Sequence, residues 1–400
     1  MAWRANRQLY TRAMRLAIVS VQDPDDIKVW SGIPSCILSE IRRQGVEVEI
    51  IGPLSRWFKW LYAPLVYFMR FRNKSVQIDR HPIALSSFAR QITRRMAGKK
   101  FDAVLSFSSI PISSLPTGIP VLFWTDAVLQ GMADYYAGKF ANMSAGELST
   151  GNRQEQAGLN RAAYALYSSE WAVEQAQRFY ETRRGAVQAL SFGANLPIEH
   201  GLEQVTAWID ARSKTPPCTL LFIGVEWERK GGPLAWEVAR ILNEKGIPTT
   251  LRVVGCAAPE APFVENYGFI SKSTEAGRRR LTALYESATF FFLPTRAEAA
   301  GIVFCEASAF GLPSLASQTG GVQDYVLHEE TGFCLPLDAP AAEYVACITR
   351  SLTENDMYRR LSLNAYSRYR TLMNWESSVR RLRRLVEAAM ETDRANLSGN

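Results

Sequence analysis

Two glutamates, Glu298 and Glu306, lie eight residues apart on either side of a predicted helix start. The first turn of an α-helix leaves backbone N–H groups without partners, and the helix dipole favours an anion there. Here those donors belong to Gly301, Ile302 and Val303. An anion held between two acids that accept hydrogen bonds from hydroxyls fits a sugar nucleotide, with the diphosphate on the N–H groups and the hydroxyls on the carboxylates.

The surrounding residues predict a strand, a loop and a helix. Residues 290–293 form a short apolar run that Pro294 ends, as expected of a buried parallel strand. The helix is predicted over about residues 301–310, because Gly311 is typical of a helix end. A glutamate near the start of a helix also stabilises the helix dipole, so a purely structural role for Glu306 stays open.

Two successive units begin in the same way, with a strand, a loop, a helix and a second strand. The predicted strands are residues 16–21, 46–51, 103–106, 120–123 and 163–167 in the first half and 219–223, 250–254 and 290–293 in the second, with helices over 34–44 and 233–244. This order is typical of doubly wound α/β domains, which bind ligands at the carboxyl ends of their strands. We predict an α/β fold with two Rossmann-like domains facing across a cleft.

The length of 400 residues suits two domains, and the composition, 47% hydrophobic and 21% charged, excludes a disordered chain. The predicted boundaries give an N-terminal domain over residues 1–197, a linker over 198–217 that ends in Ser-Lys-Thr-Pro-Pro, and a C-terminal domain over 218–374. A C-terminal helix and tail over 375–400 are expected to pack back on the N-terminal domain.

Metal chemistry and secretion are poorly supported by the sequence. The six cysteines are scattered without a C-x-x-C pair, and the three histidines do not cluster. Asp23-Pro-Asp25 matches a metal-binding D-x-D pattern, but it directly follows the first strand and reads as a turn. We therefore predict no essential metal and no cofactor. The first apolar run has only six residues, which does not fit a signal peptide.

The stretch Glu298-Ala-Ala-Gly-Ile-Val-Phe-Cys-Glu306 resembles the E-x7-E motif of retaining glycosyltransferases of family 4, which have the GT-B fold. Residues 222–232, Phe-Ile-Gly-Val-Glu-Trp-Glu-Arg-Lys-Gly-Gly, resemble the opening of the donor domain of that family. Further similar segments are residues 30–33, 123–126, 167–171, 192–195, 267–271, 306–313, 320–321 and 331–333. The resemblance covers nearly the whole chain. It implies a C-terminal domain for the nucleotide-sugar donor and an N-terminal domain for the acceptor.

The resemblance also implies roles for charged residues. Glu306 would bind the ribose hydroxyls of the donor, and Glu298 a hydroxyl of the donor sugar. Lys230, assisted by Arg229, would neutralise the charge that grows on the leaving diphosphate. A lysine in such a turn is also compatible with a solvated side chain.

Three further positions follow from the same resemblance. Gly32 would let the backbone approach the phosphates. Gly224 ends the first strand of the second domain, and Phe269 lies in the stretch whose backbone reads the nucleotide base.

The sequence departs from the family pattern at two positions. Val225 stands where an arginine commonly follows Gly224, and Thr125 stands where many members have a histidine before the aspartate. A second phosphate cation must therefore come from Arg229 or elsewhere. Asp126 stays a candidate for contact with the acceptor or sugar, with capping of the next helix as its alternative.

The net charge of +7 is confined to the first half of the chain. Basic residues exceed acidic ones by nine in residues 1–195, and acidic residues exceed basic ones by two in residues 196–400. Residues 54–74 interleave cations with aromatics, and the apolar run 60–69 is too short to span a bilayer. Two interpretations stay open: contact with an anionic membrane surface, or aromatics that pack in the first domain with solvated cations. RNA binding ranks lower, because recognised nucleic-acid modules are absent.

These features predict a metal-independent retaining glycosyltransferase. It would move a sugar from a UDP- or GDP-linked donor to a glycan or lipid-linked acceptor in cell-envelope polysaccharide or glycolipid biosynthesis. We expect a cytoplasmic protein, peripheral on the inner membrane if residues 54–74 touch lipid. The alternatives are a non-catalytic nucleotide-sugar-binding or scaffold protein at the membrane, and a sugar-nucleotide epimerase or hydrolase of the same shape.

Overall fold

The computed structural model describes residues 14–214, 218–354 and 356–398. Residues 215–217 of the predicted linker, and the chain ends, lie outside the described residues. The chain divides into two compact units. Unit 1 comprises residues 1–190 and 379–400, and unit 2 comprises residues 191–378.

The described residues of unit 1 contain six parallel strands, all of them short. They are β1 (Arg15–Val19), β2 (Glu47–Ile51), β3 (Ala103–Ser106), β4 (Val121–Thr125), β5 (Tyr164–Tyr167) and β6 (Val187–Ala189). Their order in the sheet is β2-β1-β3-β4-β5-β6. The central strands are apolar along nearly their whole length because both faces of the sheet are covered, and β3 is buried at every position.

The helices of unit 1 connect these strands or cover the sheet. They are α1 (Ile33–Arg43), α2 (Lys59–Phe71), α3 (Pro82–Met96), α4 (Leu129–Tyr135), α5 (Ala137–Phe140), α6 (Ala145–Arg161) and α7 (Glu170–Phe179). Helix α1 packs Ile37, Leu38 and Ile41 into the core, as its 3.6-residue periodicity predicts. Helix α2 differs from the other helices of seven or more residues in the described part of unit 1, since none of its residues is buried.

Unit 2 repeats this architecture with a second six-stranded parallel sheet. Its strands are β7 (Cys218–Ile223), β8 (Thr249–Val254), β9 (Val264–Gly268), β10 (Phe290–Leu293), β11 (Ser314–Ser317) and β12 (Gly332–Leu335), in the order β12-β11-β10-β7-β8-β9. Strands β7 and β10 are therefore neighbours at the centre of the sheet. Phe290, Phe291 and Phe292 of β10 are fully buried in the core of this unit.

In the described part of the chain, seven helices belong wholly or partly to unit 2. They are α8 (Leu202–Lys214), α9 (Gly232–Glu244), α10 (Glu275–Ser287), α11 (Ile302–Ala309), α12 (Ala341–Thr353), α13 (Met357–Thr371) and α14 (Trp375–Ser398). Helix α14 begins in unit 2 and continues in unit 1 from Val379 onward. The predicted α/β fold with two doubly wound domains is thereby confirmed as two separate parallel sheets flanked by helices.

The segment predicted as a linker, residues 198–217, differs from the expectation. Most of it is helix α8, which places Val205 and Ile209 in the core of unit 2. Arg212 of this helix donates hydrogen bonds to the carbonyls of Glu286 (2.9 Å) and Phe310 (2.8 Å). The division between the units lies earlier, after residue 190. Helix α8 belongs to unit 2 because its regularly spaced apolar residues pack in that core, although the residues around them are polar.

Candidate active site

Two loops of unit 2 lie side by side because the strands that precede them are neighbours in the sheet. One follows β7 and covers residues 224–231, and the other follows β10 and covers residues 294–301. The backbone N–H of Arg296 donates to the carbonyl of Arg229 at 2.8 Å, and the hydroxyl of Thr295 donates to the same carbonyl at 3.3 Å. These bonds fix the two loops against each other.

Two glycines make the close approach of the loops sterically feasible. A Cβ atom on Gly231 would lie 1.9 Å from the carbonyl oxygen of Pro294, and the φ angle of Gly231 is +79°. A Cβ atom on Gly224 would lie 2.9 Å from Cγ of Lys230. The first glycine permits loop contact, and the second leaves room for the lysine stem.

Lys230 and Glu298 form an ion pair between these loops, through Nζ and Oε2. Both side chains are largely buried, with relative exposures of 12% and 15%. The carbonyl of Glu298 also accepts a hydrogen bond from the N–H of Gly321 at 3.0 Å, which fixes the backbone of the loop. The structure therefore brings together two residues that lie 68 positions apart and that the sequence assigned to the same site.

The side chain of Arg229 is bound to neighbouring protein groups. Its guanidinium pairs with Glu226 and donates from Nη1 to the carbonyl of Ala297 at 2.6 Å. In this conformation Arg229 holds the two loops together. To bind a phosphate as predicted, Arg229 would have to leave these partners. Lys230, in contrast, already pairs with Glu298.

Helix α11 begins beside this ion pair, with Gly301 as its N-cap. Among the described residues, no protein acceptor takes a hydrogen bond from the N–H groups of Gly301, Ile302 or Val303. A Cβ atom on Gly301 would lie 2.6 Å from Cδ2 of Phe304, so the helix start needs glycine. The three donors that the sequence predicts for an anion are thus available at the helix dipole.

Glu306 lies inside α11 and is fully buried. Its carboxylate accepts hydrogen bonds from the hydroxyl of Tyr285 at 3.0 Å and from the N–H of Asn195 at 3.3 Å, and it forms an ion pair with Lys272. The sequence predicts that both carboxylates accept hydrogen bonds from hydroxyls of a bound ligand. The structure differs for Glu306, because a buried carboxylate needs donors and three protein groups supply them.

Lys272 and Tyr285 are partners that the sequence reasoning missed. Lys272 is one-third exposed, whereas the Glu306 side chain that it pairs with is fully buried. Burial and the neighbouring Glu306 carboxylate hold the pKa of Tyr285 well above its usual value of 10.0, so this phenol stays a proton donor. The only sequence signal for Lys272 is its position directly after residues 267–271, which the family resemblance had singled out.

Phe269 and Val225 both lie exposed after the carboxyl ends of strands. Phe269 follows β9 with 76% of its surface accessible, and Val225 follows β7 with 62% accessible. The carbonyl of Gly268 accepts a hydrogen bond from the N–H of Gly255 at 2.9 Å, which holds the end of β9 in place. An exposed phenylalanine at this edge is a suitable stacking surface for a planar ring.

The candidate residues of unit 1 lie at the carboxyl edge of its own sheet. Asp126 follows β4, and its Oδ1 accepts hydrogen bonds from the N–H of Ala127 at 3.0 Å and from the hydroxyl of Thr125 at 3.4 Å. The side chain of Trp30 is a further hydrogen-bonding partner. Desolvation raises the pKa of Asp126 above its usual value, and these hydrogen bonds partly oppose that rise.

The loop that carries Gly32 follows β1 and is strained. Trp30, Ser31 and Gly32 have φ angles of 46°, 57° and 81°, so three consecutive residues are left-handed. Such a conformation costs on the order of 1 kcal/mol or more at each non-glycine residue. The hydrogen bond between Trp30 and Asp126 shows that this loop meets the end of β4, which the sequence did not predict.

The Asp23-Pro-Asp25 segment forms a turn in which Oδ1 of Asp23 accepts a hydrogen bond from the N–H of Asp25 at 3.0 Å. Arg42 pairs with the carboxylate of Asp25. Within the described residues, no group of three or more histidine, cysteine, aspartate or glutamate side chains is arranged to hold a metal ion. No helix among those residues combines the length and apolarity needed to cross a membrane.

Comparison with known proteins adds a family match over most of unit 2. Residues 209–368 match the model of the family described as Glycosyl transferases group 1. These residues include Lys230, Glu298, Glu306 and the start of α11.

Two relatives carry the same name, D-inositol 3-phosphate glycosyltransferase. The protein from Thermomonospora curvata is 32% identical over 119 residues, which are 30% of this chain and 27% of the relative. The protein from Corynebacterium diphtheriae is 23% identical over 354 residues, which cover 80% of this chain and 82% of the relative. The chain thus spans about a quarter of the first relative's length and most of the second's.

Solved structures resemble the chain over nearly its whole length. Sucrose-phosphate synthase from Thermosynechococcus elongatus superimposes with a TM-score of 0.64 at 19% identity, covering 95% of this chain and all of that one. HepE of Anabaena in complex with UDP-glucose superimposes with a TM-score of 0.57 at 13% identity, covering 97% and 100%. At such identities the similarity shows the fold, which is GT-B. The chain therefore has the GT-B fold, and its residues 209–368 match the Glycosyl transferases group 1 family.

Proposed function

We propose that the protein is a metal-independent retaining glycosyltransferase of family 4. In this proposal it moves a sugar from a UDP- or GDP-linked donor to a glycan or lipid-linked acceptor in cell-envelope polysaccharide or glycolipid biosynthesis. The observation that carries the proposal is the Lys230–Glu298 ion pair beside the open N–H groups at the start of α11. Cation, acid and anion-binding donors meet there within one unit.

The leaving diphosphate is stabilised by this arrangement. When the bond between sugar and phosphate breaks, negative charge grows on the phosphate oxygens. The N–H groups of Gly301, Ile302 and Val303 and the ammonium of Lys230 are fixed before the reaction, so little reorganisation accompanies the charge. Glu298 then contacts a donor-sugar hydroxyl while it keeps Lys230 in position.

The donor nucleotide is placed across Glu306 and Phe269. The ribose hydroxyls reach Glu306 after the Lys272 ammonium swings outward, since Lys272 is the cation paired with this fully buried carboxylate. Phe269 and its backbone lie at the end of β9 for the base. The UDP-glucose found in the Anabaena structure supports uridine as the first base to test.

Unit 1 supplies the acceptor side in this proposal. Gly32 lets the backbone approach the donor phosphates, and Asp126 contacts the acceptor or the donor sugar. The strain at Trp30 and Ser31 supports a functional loop, because the conformation is kept although it is unfavourable. We further propose a cytoplasmic protein, which is peripheral on the inner membrane if residues 54–74 touch lipid.

A nucleotide panel followed by donor turnover tests the proposal. UDP, GDP and ADP are added in a thermal-unfolding assay, and one nucleoside diphosphate is expected to stabilise the protein by roughly 2.7 kcal/mol at 100 times its Kd. The matching nucleotide-sugars are then supplied with EDTA, and release of the nucleoside diphosphate with retention of the sugar's anomeric configuration is measured by NMR.

Three outcomes contradict the proposal. No stabilisation by any nucleoside diphosphate removes the donor site. Binding without turnover, even with acceptors present, makes the protein a nucleotide-sugar-binding module. Turnover that stops in EDTA and returns with a divalent cation shows that the diphosphate relies on a metal.

A further inference from the structure

Helix α2 exposes an unusually large apolar surface. The three most exposed aromatic side chains in it are Trp60, Tyr67 and Phe71, with 85%, 78% and 87% of their surfaces accessible. Leu61 and Phe68 are also more than half exposed. No other helix of comparable length in the described chain lacks buried residues. The sequence alternative in which the aromatics of this segment pack in the first domain is therefore wrong for Trp60, Tyr67, Phe68 and Phe71, and it holds for Phe58.

The exposed residues form one face of the helix. Trp60, Tyr67 and Phe71 are separated by seven and four residues, so they fall on one stripe at 3.6 residues per turn. Tyr62, Val66 and Met69 lie on the opposite side and are the half-buried positions of α2. The helix thus has an inner face toward unit 1 and a more strongly aromatic outer face.

The helix is anchored to unit 1 at several points. Phe58, just before α2, is fully buried and packs edge to face on Phe88, with ring centroids 5.3 Å apart. Tyr62 packs edge to face on His81 at 5.0 Å. After the helix, the N–H of Ser75 donates to the carbonyl of Asn142 at 2.8 Å. The outer face is therefore held outward by its own connections.

Unpaired cations border this face. Among the described residues, no acid lies within ion-pair distance of Lys59, Arg70, Arg72 or Lys74. Arg72 lies over the ring of Phe68, with its Cζ atom 5.6 Å from the centroid. Lysine and arginine side chains without acid partners fit a surface that carries fixed negative charge.

We propose that the outer face of α2 docks on the surface of a bilayer that contains anionic lipids. Trp and Tyr side chains favour the headgroup region, and an amphipathic helix with bordering cations lies in the plane of that interface. The 13 residues of α2 give a length of about 20 Å, short of the roughly 30 Å of a hydrocarbon core, so the helix lies on the membrane. Charge complementarity favours anionic lipid over a second copy of this chain, which would bring like cations together.

This docking surface uses none of the donor-site residues, so it stands apart from the proposed sugar transfer. If both hold, the acceptor is lipid-linked rather than a soluble glycan. That last step rests on the proposed function.

Vesicle flotation tests the surface. The full chain is mixed with phosphatidylcholine vesicles and with vesicles of 70% phosphatidylcholine and 30% phosphatidylglycerol, a composition with about one anionic lipid in three. We expect flotation with the anionic vesicles at low salt and clear loss at 0.5 M NaCl, since salt screens exposed charges. The triple variant W60S/Y67S/F71S is expected to lose at least about tenfold in vesicle affinity. Trp57 is kept, because its indole N–H donates to Ser87 at 2.8 Å.

Matched controls separate the outer face from general apolar exposure and from charge. L202S/L337S/L372S removes three exposed leucines of unit 2 and is expected to float like the wild type. R70Q/R72Q/K74Q keeps the aromatics and is expected to lose the preference for anionic vesicles. UDP stabilisation of all variants is measured in parallel, so that failure of the donor site and failure of the docking surface are distinguished.

Two results overturn the inference. One is equal vesicle binding by the wild type and W60S/Y67S/F71S. The other is a wild type that does not float and sediments as a dimer that W60S/Y67S/F71S converts to a monomer, since the face would then join two copies of the chain.

Discussion

Helices α11 and α2 place their side chains in opposite ways. Helix α11 buries six of its eight residues, and one of them is the carboxylate of Glu306. Helix α2 buries none of its thirteen residues, although most of them are aromatic or aliphatic. In α11 the polar group is kept in the interior by three donors, whereas in α2 the apolar groups are kept outside by the way the segment is anchored.

The difference shows that apolar composition does not by itself decide burial. Glu306 is stable in the interior because Lys272, Tyr285 and Asn195 meet its carboxylate. The outer face of α2 stays exposed because only Tyr62, Val66 and Met69 lie on the side of the helix that packs on the rest of unit 1. Burying a charged carboxylate and exposing a large apolar surface both cost free energy. Glu306 and the outer face of α2 are therefore both candidates for contact with a ligand.

The largest expected effect is the loss of the buried cation near α11. Lys230→Met removes the ammonium that stabilises the leaving diphosphate and leaves Glu298 without its partner. We expect kcat/KM for sugar transfer to fall about 10²–10³-fold, which corresponds to about 3–4 kcal/mol. Steady-state kinetics measures it. The control Lys245→Met changes an exposed lysine at the end of α9 and should stay near wild-type activity; an unchanged rate in Lys230→Met would contradict the proposed role.

The next effect concerns the contact between the two loops. Gly231→Ala places a Cβ atom 1.9 Å from the carbonyl oxygen of Pro294, and it also forces alanine to a φ angle of +79°. We expect the free energy of unfolding to fall by about 3 kcal/mol. Chemical denaturation measures this difference. Gly246→Ala has nearly the same φ, +76°, with no atom within 4 Å of the added Cβ, and should cost only about 1 kcal/mol; equal losses in the two variants would show that the loop contact is loose.

A smaller effect is expected at the partner of Glu306. Lys272→Met leaves a fully buried carboxylate without its cation. We expect a loss of about 1–2 kcal/mol in unfolding free energy, less than for a fully buried pair because Lys272 is one-third exposed. Lys272→Arg retains the charge and should recover most of the stability in thermal unfolding. If Lys272→Met is as stable as the wild type, the Tyr285 and Asn195 hydrogen bonds suffice for Glu306.

The smallest effect is expected on the outer face of α2. W60S/Y67S/F71S removes side chains that contact mostly solvent, so its unfolding free energy should stay within about 0.5 kcal/mol of the wild type per substitution. Phe58→Ser in the same segment empties a buried site against Phe88 and should cost about 3–5 kcal/mol. Denaturant unfolding compares the two variants, and a large loss in the triple variant would mean that the outer face is packed in the folded protein.

Much of the fold follows from local sequence. The predicted strands and helices around Gly32, Gly231 and Gly301 match the observed bounds within two residues, because each combines an apolar period with a glycine where the chain turns. Strands β6, β9, β11 and β12 were not predicted. Three of these four lie at sheet edges, and the apolar signal of β9 is weak because none of its positions is buried.

The candidate site was predicted in part. The sequence named Lys230 and Glu298, and in the structure the two form an ion pair. They meet because the strands before them, β7 and β10, are neighbours in the sheet. The order of strands in a sheet cannot be read from short stretches of sequence. The sequence also named Glu306 but gave no sign that Lys272 and Tyr285 enclose it. Contacts between distant positions depend on strand order and helix packing, which a single sequence does not display.

By itself, the sequence determined the two α/β units, the glycine-rich turns at their strand ends and the concentration of positive charge in the first half of the chain. These features depend on residue type and short-range spacing. Only the tertiary structure decided that Glu306 is enclosed, that residues 202–214 are a core helix, and that the aromatics of α2 face outward. The physical reason is that burial depends on which surfaces the rest of the chain covers, and an apolar helix has the same local pattern whether its outer face meets protein, lipid or water.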